Sequence, residues 1–235
     1  MRQFILIACI SLFTTSMSMA TEGDDAKVEL KRQIIQLAQS FEGQGDPDFS
    51  KQRLLEPLVQ ELLRISSSSP IRDRLPVLAG VWRQVWGPYD YRNDDRGIDP
   101  ELGTEEIYQV VSSKGYYYNV SYLYKDGDRN QKRIGLLRGE YKVDANQLNT
   151  LNVKFTDYPG ASSKPNELEL WQLAEMAEND TLPNRITIVP SFIVRLFFGG
   201  GSLREVYTDH DLRITYGSSQ RSPDRESIYI MIRMP

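Results

Sequence analysis

Apolar residues recur along this chain with two different periods, and the change of period divides it. Up to about residue 65 the period is helical. Leu30, Ile34, Leu37, Ala38 and Phe41 stand three and four apart, so they share one helix face. Gly43-Gln-Gly-Asp-Pro47 ends that pattern. A second helix is expected next, with Asp48 or Ser50 as its N-cap and Leu54, Leu58, Leu62 and Ile65 as its stripe. Pro57 has no N–H to donate and predicts a helix start or a kink there. Ser66–Pro70 reads as a linker.

From Leu75 onward the period shortens to two. Val77–Trp86 is apolar and β-prone, and Glu106–Val111 is a further strand. Tyr116–Tyr124 alternates most clearly, with Tyr116, Tyr118, Val120, Tyr122 and Tyr124 on one face and Asn119 and Ser121 on the other. Lys132–Tyr141 and Leu148–Phe155 follow, the latter with Leu151, Val153 and Phe155 on one side. Glu167–Glu178 mixes both signals, but its Ala, Glu, Leu and Met content favours a short helix. Arg185–Val189, Phe192–Phe198, Leu203–Tyr207, Asp211–Tyr216 and Ser227–Arg233 complete the predicted strands. Many short strands behind a helical cap predict a mainly β protein, an antiparallel barrel or sandwich.

The first twenty residues stand outside that pattern. Arg2, the apolar run Phe4–Phe13 and the small residues of Ser18-Met-Ala20 have the layout of a secretory signal peptide. The run is too short for a bilayer, which takes about 20 apolar residues. Three segments result: a signal peptide over 1–20, an acidic leader with two helices over 21–70, and a β-domain over 71–235. The protein is therefore expected in an exported compartment: periplasm, thylakoid lumen or extracellular space. The single cysteine, Cys9, lies in the leader, so the mature chain has no thiol chemistry. The 235-residue chain carries a net charge of −4 and no long basic run, which argues against a nucleic-acid partner.

Chemistry is sparse. Asp209-His210-Asp211 holds the only histidine and invites a metal or acid–base reading. Its place between two strands favours a tight turn instead, because aspartate is enriched in turns. Gly199-Gly-Gly201 lacks the Lys-Ser/Thr ending of a phosphate loop and reads as a hairpin connection. The loop with Asp94, Asp95 and Asp99 lacks EF-hand spacing. Asn119-Val-Ser121 and Asn179-Asp-Thr181 fit the N-glycosylation pattern. No catalytic residue, cofactor or metal ligand is assigned. Thirteen tyrosines and three tryptophans are many for a chain without catalytic furniture. Such residues can line a cavity for an amphipathic ligand, or simply cover an ordinary sheet face.

Two stretches resemble the plastid lipid-associated protein family, the fibrillins or plastoglobulins. One is the helix pair running into Leu75-Pro-Val-Leu-Ala-Gly-Val-Trp82. The other is Glu205–Arg233, where Asp209, Asp211, Leu212, Arg213 and Ile214 match a Tyr-x-Asp-x-Asp-Leu-Arg-Ile hairpin and Ile228–Arg233 matches the last strand. Plant members carry transit peptides, so the export leader points to a bacterial or cyanobacterial exported relative. The resemblance implies a lipocalin-like β-barrel that binds or carries a lipid or other hydrophobic small molecule, without catalysis. A peripheral membrane surface is a further expected partner. The candidate ligand-binding residues are Trp82, Tyr116, Tyr118, Tyr122, Tyr207, Arg213 and Tyr229. In such a barrel Trp82 is expected to plug one end, with Arg213 over its indole in a cation–π contact of about 0.5–2 kcal/mol. The competing expectation is an interaction or structural barrel whose interior is filled by side chains.

Overall fold

A computed structural model describes residues 24–42, 46, 48–66, 69–87, 102–125, 128, 132–162, 170–179, 200–219 and 222–235. The signal peptide, the loop with Asp94, Asp95 and Asp99, and the expected strands Arg185–Val189 and Phe192–Phe198 lie outside the described residues.

Eight antiparallel strands close into a barrel in sequence order: β1 (Gly80–Trp86), β2 (Leu102–Val111), β3 (Tyr116–Lys125), β4 (Lys132–Val143), β5 (Thr150–Ser162), β6 (Gly200–Thr208), β7 (Leu212–Ser219) and β8 (Ser222–Arg233). Trp82 pairs with Arg233 and Arg83 with Ile232, so β8 returns to β1 and leaves no open edge. This is the up-and-down order of lipocalin-like barrels. Among the described residues four helices accompany the strands: α1 (24–40), α2 (Ser50–Ile65), α3 (Ile71–Leu78) and α4 (Leu170–Asn179). The ambiguous segment Glu167–Glu178 is thus helical from Leu170 on.

α1 and α2 form the expected N-terminal cap, and they pack on the outside of the barrel. Ile34 and Ala38 of α1, with Leu55, Val59 and Leu62 of α2, meet Leu212, Ile214, Tyr216, Ile228 and Ile230 of β7 and β8. The buried stripe of α2 is shifted from the one expected: Leu55, Val59 and Leu62 are buried, while Leu54 is 58% exposed. Both stripes satisfy helical spacing, and contact with the barrel selects one. The helix runs through Pro57 from Ser50. Phe49 takes the N-cap position with φ 60°, and carboxylates do the capping: Asp46 accepts from the N–H of Lys51 (3.0 Å) and Gln52 (2.8 Å), and Asp48 from that of Ser50 (3.1 Å).

α3 follows the expected linker Ser66–Pro70 and takes in Leu75–Leu78, which the sequence pattern assigns to strand. It lies across one barrel end. Ile71 N–H donates to the Leu148 carbonyl, and Arg74 Nη2 donates to the Glu205 carbonyl at 3.0 Å and to Asn149 Oδ1 at 3.1 Å. α4 packs outside, where Ala177 joins Val110, Tyr118, Val120, Ile134 and Leu136 of β2, β3 and β4.

Candidate functional site: the inner wall of the barrel

Alternation along each strand separates an outer from an inner face. The inner face is fixed by a contact across the barrel: Arg213 Nη1 of β7 donates to Gln109 Oε1 of β2 at 2.7 Å, although β8 and β1 lie between those strands. Following register from these residues places Trp82, Gln84, Ile107, Gln109, Tyr117, Asn119, Ser121, Leu137, Glu205, Arg213, Thr215, Tyr229 and Met231 inside.

The end closed by α3 is densely filled. Ile71, Leu78, Trp82, Val111, Tyr117, Tyr141, Leu151, Val153 and Met231 form one buried cluster drawn from most of the wall. Within this floor lies an ion pair: Arg213 Nε and Nη2 donate to the two carboxylate oxygens of Glu205 at 3.0 and 2.5 Å, with side-chain exposures of 2% and 0%. The bidentate geometry offsets the cost of taking both charges out of water. Burial drives the Tyr117 hydroxyl well above its ordinary pKa, against a smaller opposing effect of the Arg213 charge. The Tyr141 hydroxyl is pushed up to about 12 for the same reason, and it donates to the Ser112 carbonyl.

Toward the opposite end the inner positions change character. Gln84, Ile107, Gln109, Asn119, Ser121, Gly135 and Leu137 are all partly exposed, as are Leu203 and Tyr229, which pack against the floor cluster, whereas the outward residues Val110, Val120, Ile134 and Leu136 are buried. A filled barrel would bury the inner positions most. The inner rings also lie flat along the wall. A methyl group built on Gly139 would stand 2.2 Å from the Tyr117 ring, and one on Gly217 would stand 2.8 Å from the Tyr229 ring. Each ring thus covers a glycine of the neighbouring strand. Glycine at these two positions keeps the rings against the wall and out of the lumen.

Of the seven candidate ligand residues, the fold puts Trp82, Arg213 and Tyr229 inside. Tyr116, Tyr118 and Tyr122 face outward on β3. Tyr118 and Tyr122 belong to the cluster beneath α4, and Tyr116 stacks under Arg138 at 4.7 Å. Tyr207 also faces outward, in the cluster beneath α1 and α2. A bulge between Glu205 and Tyr207 is responsible: Glu205 pairs with the inward Thr215, but Tyr207 pairs with the outward Ile214. Arg213 does not lie over Trp82. Arg233 does, 4.2 Å from the ring centroid, while its guanidinium donates to the Ala79 carbonyl at 2.9 Å and to the Val77 carbonyl. Trp82 Nε1 donates to the Leu78 carbonyl at 2.8 Å. The pair ties the C-terminus of α3 to β1 and β8. Asn119, the glycosylation candidate, is on the inner wall and unsuited to carry a glycan.

Asp209-His210-Asp211 forms the expected turn. Asp209 Oδ1 accepts from the N–H of Asp211 and of Leu212, each at 2.9 Å, and Asp209 N–H donates to the Leu212 carbonyl. Its carboxylates serve α1: Lys31 Nζ lies 2.8 Å from Asp209 Oδ2 and 3.0 Å from Asp211 Oδ2. Burial alone would raise the Asp209 carboxyl. Hydrogen bonds from Lys31, Tyr207 and the two backbone N–H groups outweigh it and hold the group at about 2.

Sequence reasoning missed Gln109, Asn119 and Glu205 as inner-wall residues. Polar residues on the face opposite the tyrosines were the available signal, since Asn119 and Ser121 alternate with them. No protein-family model matches the chain, and no curated protein matches it.

Proposed function

We propose that this protein binds or carries a lipid or other hydrophobic small molecule inside the barrel, without catalysing a reaction, and that it does so in an exported compartment. One observation carries the reading: inner-wall residues such as Gln84, Ile107, Asn119 and Leu137 are partly exposed, while Tyr117 of the floor and Tyr229 packed on it lie flat over Gly139 and Gly217. A wall built this way leaves room along the barrel axis. Its mix of Ile107, Leu137, Leu203 and Tyr229 with a few polar groups is the composition of small-molecule sites. The ion pair and Trp82 sit below and hold the floor rigid. The resemblance of Leu75–Trp82 and Glu205–Arg233 to the fibrillins supports the same reading.

The test is a titration of delipidated protein with an uncharged fluorescent polyene. Saturable binding at one molecule per chain is expected. A signal that rises linearly with probe, as it does with detergent alone, would refute the proposal.

A further inference from the structure

If the barrel binds a lipid, as proposed above, two polar residues of the inner wall bear on its head group. Gln109 and Asn119 stand directly opposite each other in the β2–β3 register, both on the inner face and both partly exposed. Side chains so paired lie about 5 Å apart at Cβ. They do not bond to each other. Among the described residues, Arg213 is the only hydrogen-bond partner of the Gln109 side chain, and it takes Oε1. The amide nitrogen of Gln109 is left as an unused donor with its orientation fixed. Asn119 Oδ1 is buried and has no partner. A buried polar atom without a partner costs about 1–3 kcal/mol, so the site favours a ligand that supplies one.

The charge at this level is already balanced. Arg213 is the cation nearest the pair, and both of its edges toward Glu205 are engaged. An ionised carboxylate entering the lumen would lose its hydration and find that cation neutralised. A hydroxyl group meets no such penalty. It can accept from Gln109 Nε2 and donate to Asn119 Oδ1 in one position, and a primary amide can do the same.

We infer that the barrel selects a neutral amphipathic ligand, an alcohol or amide on a long apolar body, with its polar head on the Gln109–Asn119 pair. The apolar body extends toward Ile107, Leu137 and Leu203. Arg213 and Glu205 are positioning residues that orient Gln109 from behind.

The experiment is displacement of the bound polyene at pH 8 by 1-dodecanol, dodecanoate and dodecane, repeated with Asn119→Val and Gln109→Leu. Circular dichroism and thermal unfolding check that both variants fold. In the parent protein 1-dodecanol is expected to displace the probe at a concentration at least tenfold lower than dodecanoate. Each variant is expected to weaken 1-dodecanol about fivefold and to leave dodecane unchanged. Dodecanoate binding as tightly as the alcohol would overturn the inference, as would variants that keep the alcohol preference. In both of those cases lipid binding itself would stand. If neither the polyene nor any of the three compounds binds, the broader proposal falls with it.

Discussion

At the scale of single residues, the sharpest energetic claim concerns Glu205. It is fully buried, and its only charge partner at bonding distance among the described residues is Arg213. Glu205→Ala leaves a guanidinium in the barrel floor without its counter-charge. Such a loss costs about 3–5 kcal/mol, which urea unfolding will report as a lowered midpoint. The double variant Glu205→Leu with Arg213→Met is expected to recover most of that loss, because it removes both charges together. Asp209 gives a pH prediction. Its carboxyl is held at about 2, below its ordinary 3.8, so its contribution is complete above pH 3.8 and fades as the pH falls toward 2. After allowance for solvent screening at this partly exposed site, the effect is about 1 kcal/mol. Unfolding curves at pH 5 and pH 2.5 should differ less in Lys31→Met than in the parent. The aspartates were legible in sequence as a turn, because their chemistry is local. The role of Arg213 was not: pairing with Glu205 depends on where a bulge sits in β6, and no residue type marks that bulge.

At the scale of elements, the junction of α3, β1 and β8 explains why a glycine stands two residues before Trp82. Gly80 has φ +134°, and a methyl group there would stand 2.3 Å from Arg233 Nη1. The glycine lets the guanidinium pass over the indole and reach the carbonyls that end α3. Gly80→Ala combines backbone strain with that overlap and should cost about 2–3 kcal/mol. Arg233→Met keeps the aliphatic packing and loses the stacking and both hydrogen bonds, for about 2 kcal/mol. Thermal unfolding of the two variants checks both values. The sequence pattern located this motif and paired it with the wrong arginine, since either residue alternates correctly on a late strand. The second half of α3 was read as the start of a strand because Val77–Trp86 is apolar and β-prone. Tertiary packing reverses that preference: Ile71, Leu75 and Leu78 all pack into the barrel floor. The outward tyrosines of β3 illustrate the same limit. Alternation identifies two faces of a strand but does not say which one turns toward the lumen.

At the scale of the whole molecule, the helices cover the outside and the polar groups turn in. α1 and α2 shield β7 and β8, α4 shields β2, β3 and β4, and α3 seals one end. On the inner wall, Gly139 and Gly217 let the rings of Tyr117 and Tyr229 lie against the neighbouring strand. Gly139→Ala tests this directly, because the added methyl group must push the Tyr117 ring off the wall. Overpacking of this kind costs about 1–3 kcal/mol, and the displaced ring should also weaken probe binding. The barrel and its helical cap were legible from periodicity, whereas the inner surface required register. The most direct measurement is therefore a methyl-resolved NMR titration of the delipidated protein with 1-dodecanol. The account predicts saturable shifts at the inner methyl groups of Ile107, Leu137 and Leu203, with Val110, Val120, Ile134 and Leu136 unmoved. Shifts confined to the outer set, or none at either, would contradict it.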